Sequence, residues 1–100
     1  MGKKKYPPLT PSEVQAIAKG LGFTFKRQSG SHGHYEKDAD AKGRERKIIT
    51  IDEKISEFDE DLLKSMIRQS GFTREEFYGA TKRAARKASL PYLRLRGVSD

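Results

Sequence analysis

His32 and His34 are the only imidazoles in this 100-residue chain, two positions apart in Ser31-His32-Gly33-His34-Tyr35-Glu36. If the segment is extended, a side-chain period of two puts His32, His34 and Glu36 on one face and Gly33, Tyr35 and Lys37 on the other. Three ligating side chains on one face suggest a metal site. Alternate strand positions are roughly 6.5–7 Å apart, however, and no cysteine or third histidine exists to complete a set, so no metal is expected. The plainer reading, two exposed histidines of a turn, stays open at this point. Asp38-Ala39-Asp40-Ala41-Lys42-Gly43 begins like a calcium loop, but Lys42 holds the fifth position and Ile49 the twelfth, where a bidentate Glu is required. There is no P-loop, dinucleotide fingerprint or nucleophile elbow, and no cofactor is expected.

The elements that must position these residues can be read from capping and periodicity. Thr10-Pro11-Ser12-Glu13 is a capping box with proline at the first helical position, and Val14, Ile17, Ala18 and Leu21 follow as one apolar stripe. A first helix is expected over about 11–21. Phe23-Thr24-Phe25-Lys26-Arg27-Gln28 alternates and predicts a strand with Phe23 and Phe25 buried. Ser29-Gly30-Ser31 makes a turn, His34–Lys37 returns antiparallel, 38–45 is a polar loop, and Arg46–Ile51 is a third strand. Tyr35 is the apolar member of its segment, so it is assigned inward and both histidines outward. Asp59 caps a further helix whose buried stripe is Leu62, Leu63, Met66 and Ile67, with Gly71 ending it. Thr73-Arg74-Glu75-Glu76 opens another helix, expected to run on through Ala80, Ala84, Ala85 and Ala88 to Leu90-Pro91. Leu93-Arg94-Leu95-Arg96 alternates as a short edge strand would. The expected class is α+β, α-β-β-β-α with a three-stranded antiparallel sheet, helices on one face, and a C-terminal helical extension.

Charge divides the chain. The net +7 is made of +3 in residues 1–9, +5 in 79–100 and −1 between them. Within the middle, 19–47 is basic (+4) and 48–78 acidic (−4), which suggests two faces with different partners. Three segments are expected: a basic N-terminal stretch (1–9), a folded domain (10–78) and a basic C-terminal extension (79–100). The apolar residues suffice for one small core, worth a net ~3–5 kcal/mol. No apolar run approaches the ~20 residues of a membrane helix, and no apolar stretch follows the basic start. A soluble cytoplasmic protein without a membrane partner is expected.

The order of these signals resembles a known family. A helix, Gly22-Phe23, a basic strand ending Arg27-Gln28-Ser29-Gly30-Ser31-His32, and an aromatic at Tyr35 look like the HicA toxins of type II toxin–antitoxin systems. Leu62-Leu63-Lys64-Ser65-Met66-Ile67-Arg68-Gln69-Ser70-Gly71-Phe72-Thr73-Arg74-Glu75-Glu76-Phe77 is similar to that family's last helix and its exit. The resemblance spans about 10–78. It implies a double-stranded-RNA-binding-domain-like fold and ribosome-independent cleavage of mRNA by an endoribonuclease (mRNA interferase) that inhibits translation. It also implies neutralisation by a HicB-type antitoxin, in a toxin–antitoxin complex that can be of higher order. The family's catalytic histidine, in Gly-Ser-His, carries over to His32. Members often have Pro-x-His after the third strand, where this chain has Thr50-Ile51-Asp52.

The implied chemistry is physically sound. RNA brings its own nucleophile, the 2′-hydroxyl, so the protein needs a base near neutrality and cations for the phosphate, and a histidine meets the first need without a metal. Lys26, Arg27 and Lys37 are the nearest cations, with Lys26 expected on the histidine face; Gly30 and Ser31 form the turn presenting His32, and Ser31 is a candidate phosphate donor. Two other readings compete: a non-catalytic RNA-binding module on the same fold, and a protein-interaction domain docking through its acidic half.

Overall fold

The Thr10 hydroxyl accepts the Glu13 N–H while the Glu13 carboxylate accepts the Thr10 N–H at 2.9 Å, so the first capping box forms in full. The helix it opens, α1 (Pro11–Gly20), buries Val14, Ile17 and Ala18. The structure is a computed structural model that describes residues 5–39 and 45–94. After α1 come three strands, β1 (Thr24–Ser29), β2 (His32–Lys37) and β3 (Lys47–Asp52), then α2 (Glu60–Ser70), α3 (Arg74–Gly79) and α4 (Lys82–Ala88). The strands form an antiparallel meander in the order β1-β2-β3. The α-β-β-β-α order and the open three-stranded sheet are those expected of the sequence.

The core lies between the helices and one sheet face. Tyr35, Ile49 and Ile51 point into it, together with Ile17, Leu21, Leu63, Phe77 and Tyr78. Helices α1 and α2 pack over β3. This explains one departure from the expected pattern. Phe23 is buried, but Phe25 is 48% exposed, because β1 is the far edge strand. Phe25 rests edge-on against Tyr35, ring centroids 5.5 Å apart. In α2 the stripe is also shifted. Leu62 is 46% exposed, and Ser70 is buried on the inner face, its hydroxyl donating to the Ile67 carbonyl at 2.6 Å.

The helix expected from Thr73 to Ala88 is broken in two. Thr81 takes an extended conformation and caps α4, its hydroxyl accepting the Ala84 N–H. The break lets the chain return over Gly79: Leu93 N–H donates to the Gly79 carbonyl at 2.9 Å, and a Cβ on Gly79 would meet Leu93 Cγ at 2.8 Å. Residues 91–94 form no strand; Leu95 and Arg96 lie outside the described residues, as do Asp40 to Arg44 of the long loop and Lys3 and Lys4.

The segment before α1 and the helix α4 are both tied to the domain. Leu9 and Phe58 bridge through their backbones and are both buried. The buried Tyr78 hydroxyl donates to the Pro7 carbonyl at 2.9 Å, and burial pushes its ionisation well above the ordinary tyrosine value. Ala80, Ala84 and Ala85 are buried, which makes α4 a packed element. Glu13, 8% exposed, accepts from Lys87 Nζ at 2.8 Å and faces Arg83 at 3.8 Å, joining the start of α1 to α4. Burial alone would raise the Glu13 pKa; the hydrogen bonds from Lys87 and Thr10 and the charges of Lys87 and Arg83 outweigh it, and the net direction is down.

Glu13→Gln keeps an acceptor for Thr10 but removes the charge, and should cost about 1–3 kcal/mol of unfolding free energy at neutral pH. The folded carboxyl binds its proton less readily than the unfolded one. Its contribution is therefore complete above about pH 4.3 and is lost as pH falls through the lower folded value. Urea titrations should separate the two proteins at neutral pH, and the gap should narrow as pH falls below the ordinary carboxyl range. Truncation after Gly79 removes Ala84, Ala85 and Lys87 together and should lower the melting temperature by more than about 10 °C.

Candidate active site

Between β1 and β2 the chain reverses in two residues. Gly30 has φ 59° and Ser31 does not share the positive φ, the pattern of a II′ hairpin turn that takes glycine first. No atom lies within 4 Å of where a Gly30 Cβ would sit, so conformation and not space calls for glycine there. This tight turn makes His32 the first residue of β2.

Pairing with β3 then decides what the histidines meet. His32 stands opposite Asp52, His34 opposite Thr50, and Glu36 opposite Ile48. The Glu53 N–H donates to the Ser31 carbonyl at 2.8 Å, just outside the His32–Asp52 pair. That makes the pair a non-hydrogen-bonded one, the kind whose side chains approach most closely, and the alternation gives His34–Thr50 the same character. Accordingly His32 Nε2 lies 3.8 Å from Asp52 Oδ2, and His34 Nδ1 lies 3.2 Å from Thr50 Oγ1. The His32 side chain is 51% exposed and that of Asp52 33%, both on the sheet face opposite Tyr35 and Ile51. Asp52 Oδ1 accepts from the Ser31 hydroxyl at 3.3 Å and from the Lys54 N–H at 2.9 Å.

On the other side of β2 the register shifts. Phe25 pairs with Tyr35 and Arg27 with His34, leaving Lys26 as the extra residue of a bulge, so Lys26 and Arg27 together oppose His34. Both are exposed. Lys37 is placed differently. It falls on the Gly33–Tyr35 side of β2 and lines a cleft of about 430 Å³ with Lys47, Gly71 and Glu76, across the sheet from His32. His32, Thr50 and Asp52 instead form one wall of a groove of about 360 Å³, whose other wall is Leu62, Ser65 and Gln69 of α2. Glu36, further along the face, is held by Arg46 at 3.0 Å; that contact raises the Arg46 pKa. Among the described residues no three His, Asp or Glu side chains are grouped to hold a metal ion.

The helix, hairpin and return strand that carry this face agree with a known family. Residues 11–72 match the family described as HicA toxin of bacterial toxin-antitoxin. The chain belongs to the HicA toxin family. Membership makes it a toxin component with an antitoxin as partner. No curated protein matches the chain closely enough to add to this. No helix among the described residues is long and apolar enough to cross a membrane.

In this HicA chain the structure sets Gly30 and Ser31 in the turn beside His32, places Lys26 and Arg27 opposite His34, and leaves Lys37 on the other side of the sheet. Asp52 escaped the sequence reading, although the signal was present. With Tyr35 inward and the third strand antiparallel, the residue just past Ile51 falls opposite His32.

Gly30→Ala should destabilise the domain by about 1–2 kcal/mol, since the added methyl touches nothing and only the positive φ resists it. Urea unfolding measures this directly.

Proposed function

We propose that this toxin is a metal-independent endoribonuclease that cleaves mRNA in the cytoplasm, with His32 as general base, and that a HicB-type antitoxin restrains it. The reading rests on family membership, together with one observation: the Gly-Ser-His histidine stands on an open sheet face, one same-face position along β2 from His34, which the exposed Lys26 and Arg27 oppose. His32 takes the proton of the 2′-hydroxyl. The 2′ oxygen then bonds to the adjacent phosphorus, the bond to the 5′ oxygen breaks, and that oxygen takes up a proton from water. Lys26 and Arg27 offset the charge on the phosphate oxygens. The Ser31 hydroxyl is engaged with Asp52, so its part is in building the turn and its surroundings more than in holding phosphate. Lys37 is too far around the sheet to share that phosphate and can meet only a flanking part of the strand.

A single placed base contributes roughly 10²–10⁴-fold, so the enzyme is expected to be slow. His32→Ala should abolish RNA cleavage and growth inhibition while leaving the circular-dichroism spectrum unchanged. His34→Ala should keep at least about a tenth of the activity, because its ring nitrogen is engaged with Thr50. Cleavage should survive EDTA and leave 2′,3′-cyclic phosphate ends. RNA that is bound but not cut by the unaltered protein would favour the RNA-binding module instead, and 3′-hydroxyl ends would refute the internal nucleophile.

A further inference from the structure

We infer that Asp52 is the positioning residue for His32: its carboxylate, locked by Ser31 and Lys54, fixes the imidazole tautomer that leaves Nδ1 free as the base. The base role belongs to the ribonuclease reading above, on which this inference rests; the control of the tautomer does not.

The geometry has three parts. Asp52 and His32 are directly opposed in a non-hydrogen-bonded pair, so their side chains leave the sheet together on the same face. Asp52 Oδ1 is already occupied by the Ser31 hydroxyl at 3.3 Å and the Lys54 N–H at 2.9 Å. This orients the carboxylate and turns Oδ2 toward the ring, 3.8 Å from His32 Nε2. A carboxylate is acceptor-only, so in the neutral imidazole it selects the tautomer with the proton on Nε2 and the lone pair on Nδ1. A modest rotation of the half-exposed ring closes the contact to a hydrogen bond; such bonds are often long before substrate binds. The other carboxylate at this end, Glu53, is engaged by Gln15 Nε2 at 3.0 Å. Ser31, the neighbour of the histidine in sequence, thereby holds the group that orients it.

The locked oxygen makes asparagine a revealing substitution. In Asp52→Asn the amide oxygen must stay at the Oδ1 place, because Lys54 N–H and Ser31 O–H both need an acceptor. The amide NH₂ then faces His32 and donates to Nε2, which moves the ring proton to Nδ1 and blocks the base. Asp52→Ala merely releases the ring. Asparagine, the closer mimic in shape, should therefore be the more damaging change.

The test combines kinetics with ¹⁵N spectra of the full-length protein and of Asp52→Asn, Asp52→Ala and Ser31→Ala, recorded at alkaline pH where imidazoles are neutral. The unaltered protein should show His32 protonated at Nε2, Asp52→Asn at Nδ1, and Asp52→Ala a mixture. With a ribonucleotide substrate kcat should fall about 100-fold in Asp52→Asn and about 10-fold in Asp52→Ala with KM little changed, less than the ~10⁴ known for a buried triad Asp because this pair is partly solvated. Ser31→Ala should fall in the same direction as Asp52→Ala but less. An unchanged His32 tautomer in Asp52→Asn overturns the inference, and so does an inverted tautomer with full kcat. If the tautomer inverts but the unaltered protein cuts no RNA, control by Asp52 stands and the ribonuclease reading falls.

Discussion

Burying Tyr35, Ile49 and Ile51 beneath α1 and α2 fixes how β2 pairs with β3, because a slip of one residue would turn the whole set to solvent. Everything on the opposite face inherits that register. His32, His34 and Glu36 must point outward, and Asp52, Thr50 and Ile48 must stand beside them. The histidine face is thus specified from behind, by buried apolar side chains. Burial also pushes the Tyr35 hydroxyl toward the neutral form, helped by the charge of Glu53, so its ring remains an uncharged wedge under the site.

A sheet of three six-residue strands cannot by itself bury enough to be stable, and the ends of the chain complete the core. Leu9 pairs with Phe58 before α1 has begun, Pro7 supplies the acceptor for the buried Tyr78 hydroxyl, and α4 brings alanines against α1. The Glu13 contacts with Lys87 and Arg83 serve the same joint. Bases that look in sequence like a solvated tail are partly committed to an internal carboxylate. They therefore contribute less positive field than their number suggests, and Lys82, Arg83, Arg86 and Lys87 lie on α4, which packs with α1 and α3.

The fold was legible where a local signal decides the outcome. Thr10 and Thr73 cap as their boxes imply, Asp59 and Gly71 bound α2, and the choice of Tyr35 as the inward residue placed both histidines correctly. It was not legible where the outcome depends on which strand the helices cover. Phe25 satisfies the alternation rule as well as Phe23 does, yet lies on a strand the helices leave open. Leu62 and Ser70 exchange roles because the inner face of α2 is set by its angle over β3, not by hydrophobicity alone. The split between α3 and α4 lies at the extended Thr81 and lets Leu93 reach the Gly79 carbonyl from fourteen residues on, a contact that helical periodicity cannot anticipate. Of the candidate site, the sequence predicted that His32 and His34 face outward and that a Gly30–Ser31 turn precedes them, and the structure has both. The sequence reading missed Asp52, which becomes visible only when the register of β3 is added to the orientation of β2.

The open face is uneven in charge, and this orders the chemistry proposed for it. Lys26 and Arg27 lie on the β1 side, whereas Asp52 lies on the β3 side. A phosphate backbone is drawn to the first and repelled by the second. On the ribonuclease reading proposed above, an RNA phosphate would sit toward β1, and His32, on the middle strand, stands between β1 and Asp52. A carboxylate behind the base can then orient the imidazole without competing for the substrate's cations. Partial exposure of both partners keeps the local dielectric high and each electrostatic gain small. On the ribonuclease reading, such a site favours modest rates over rapid turnover.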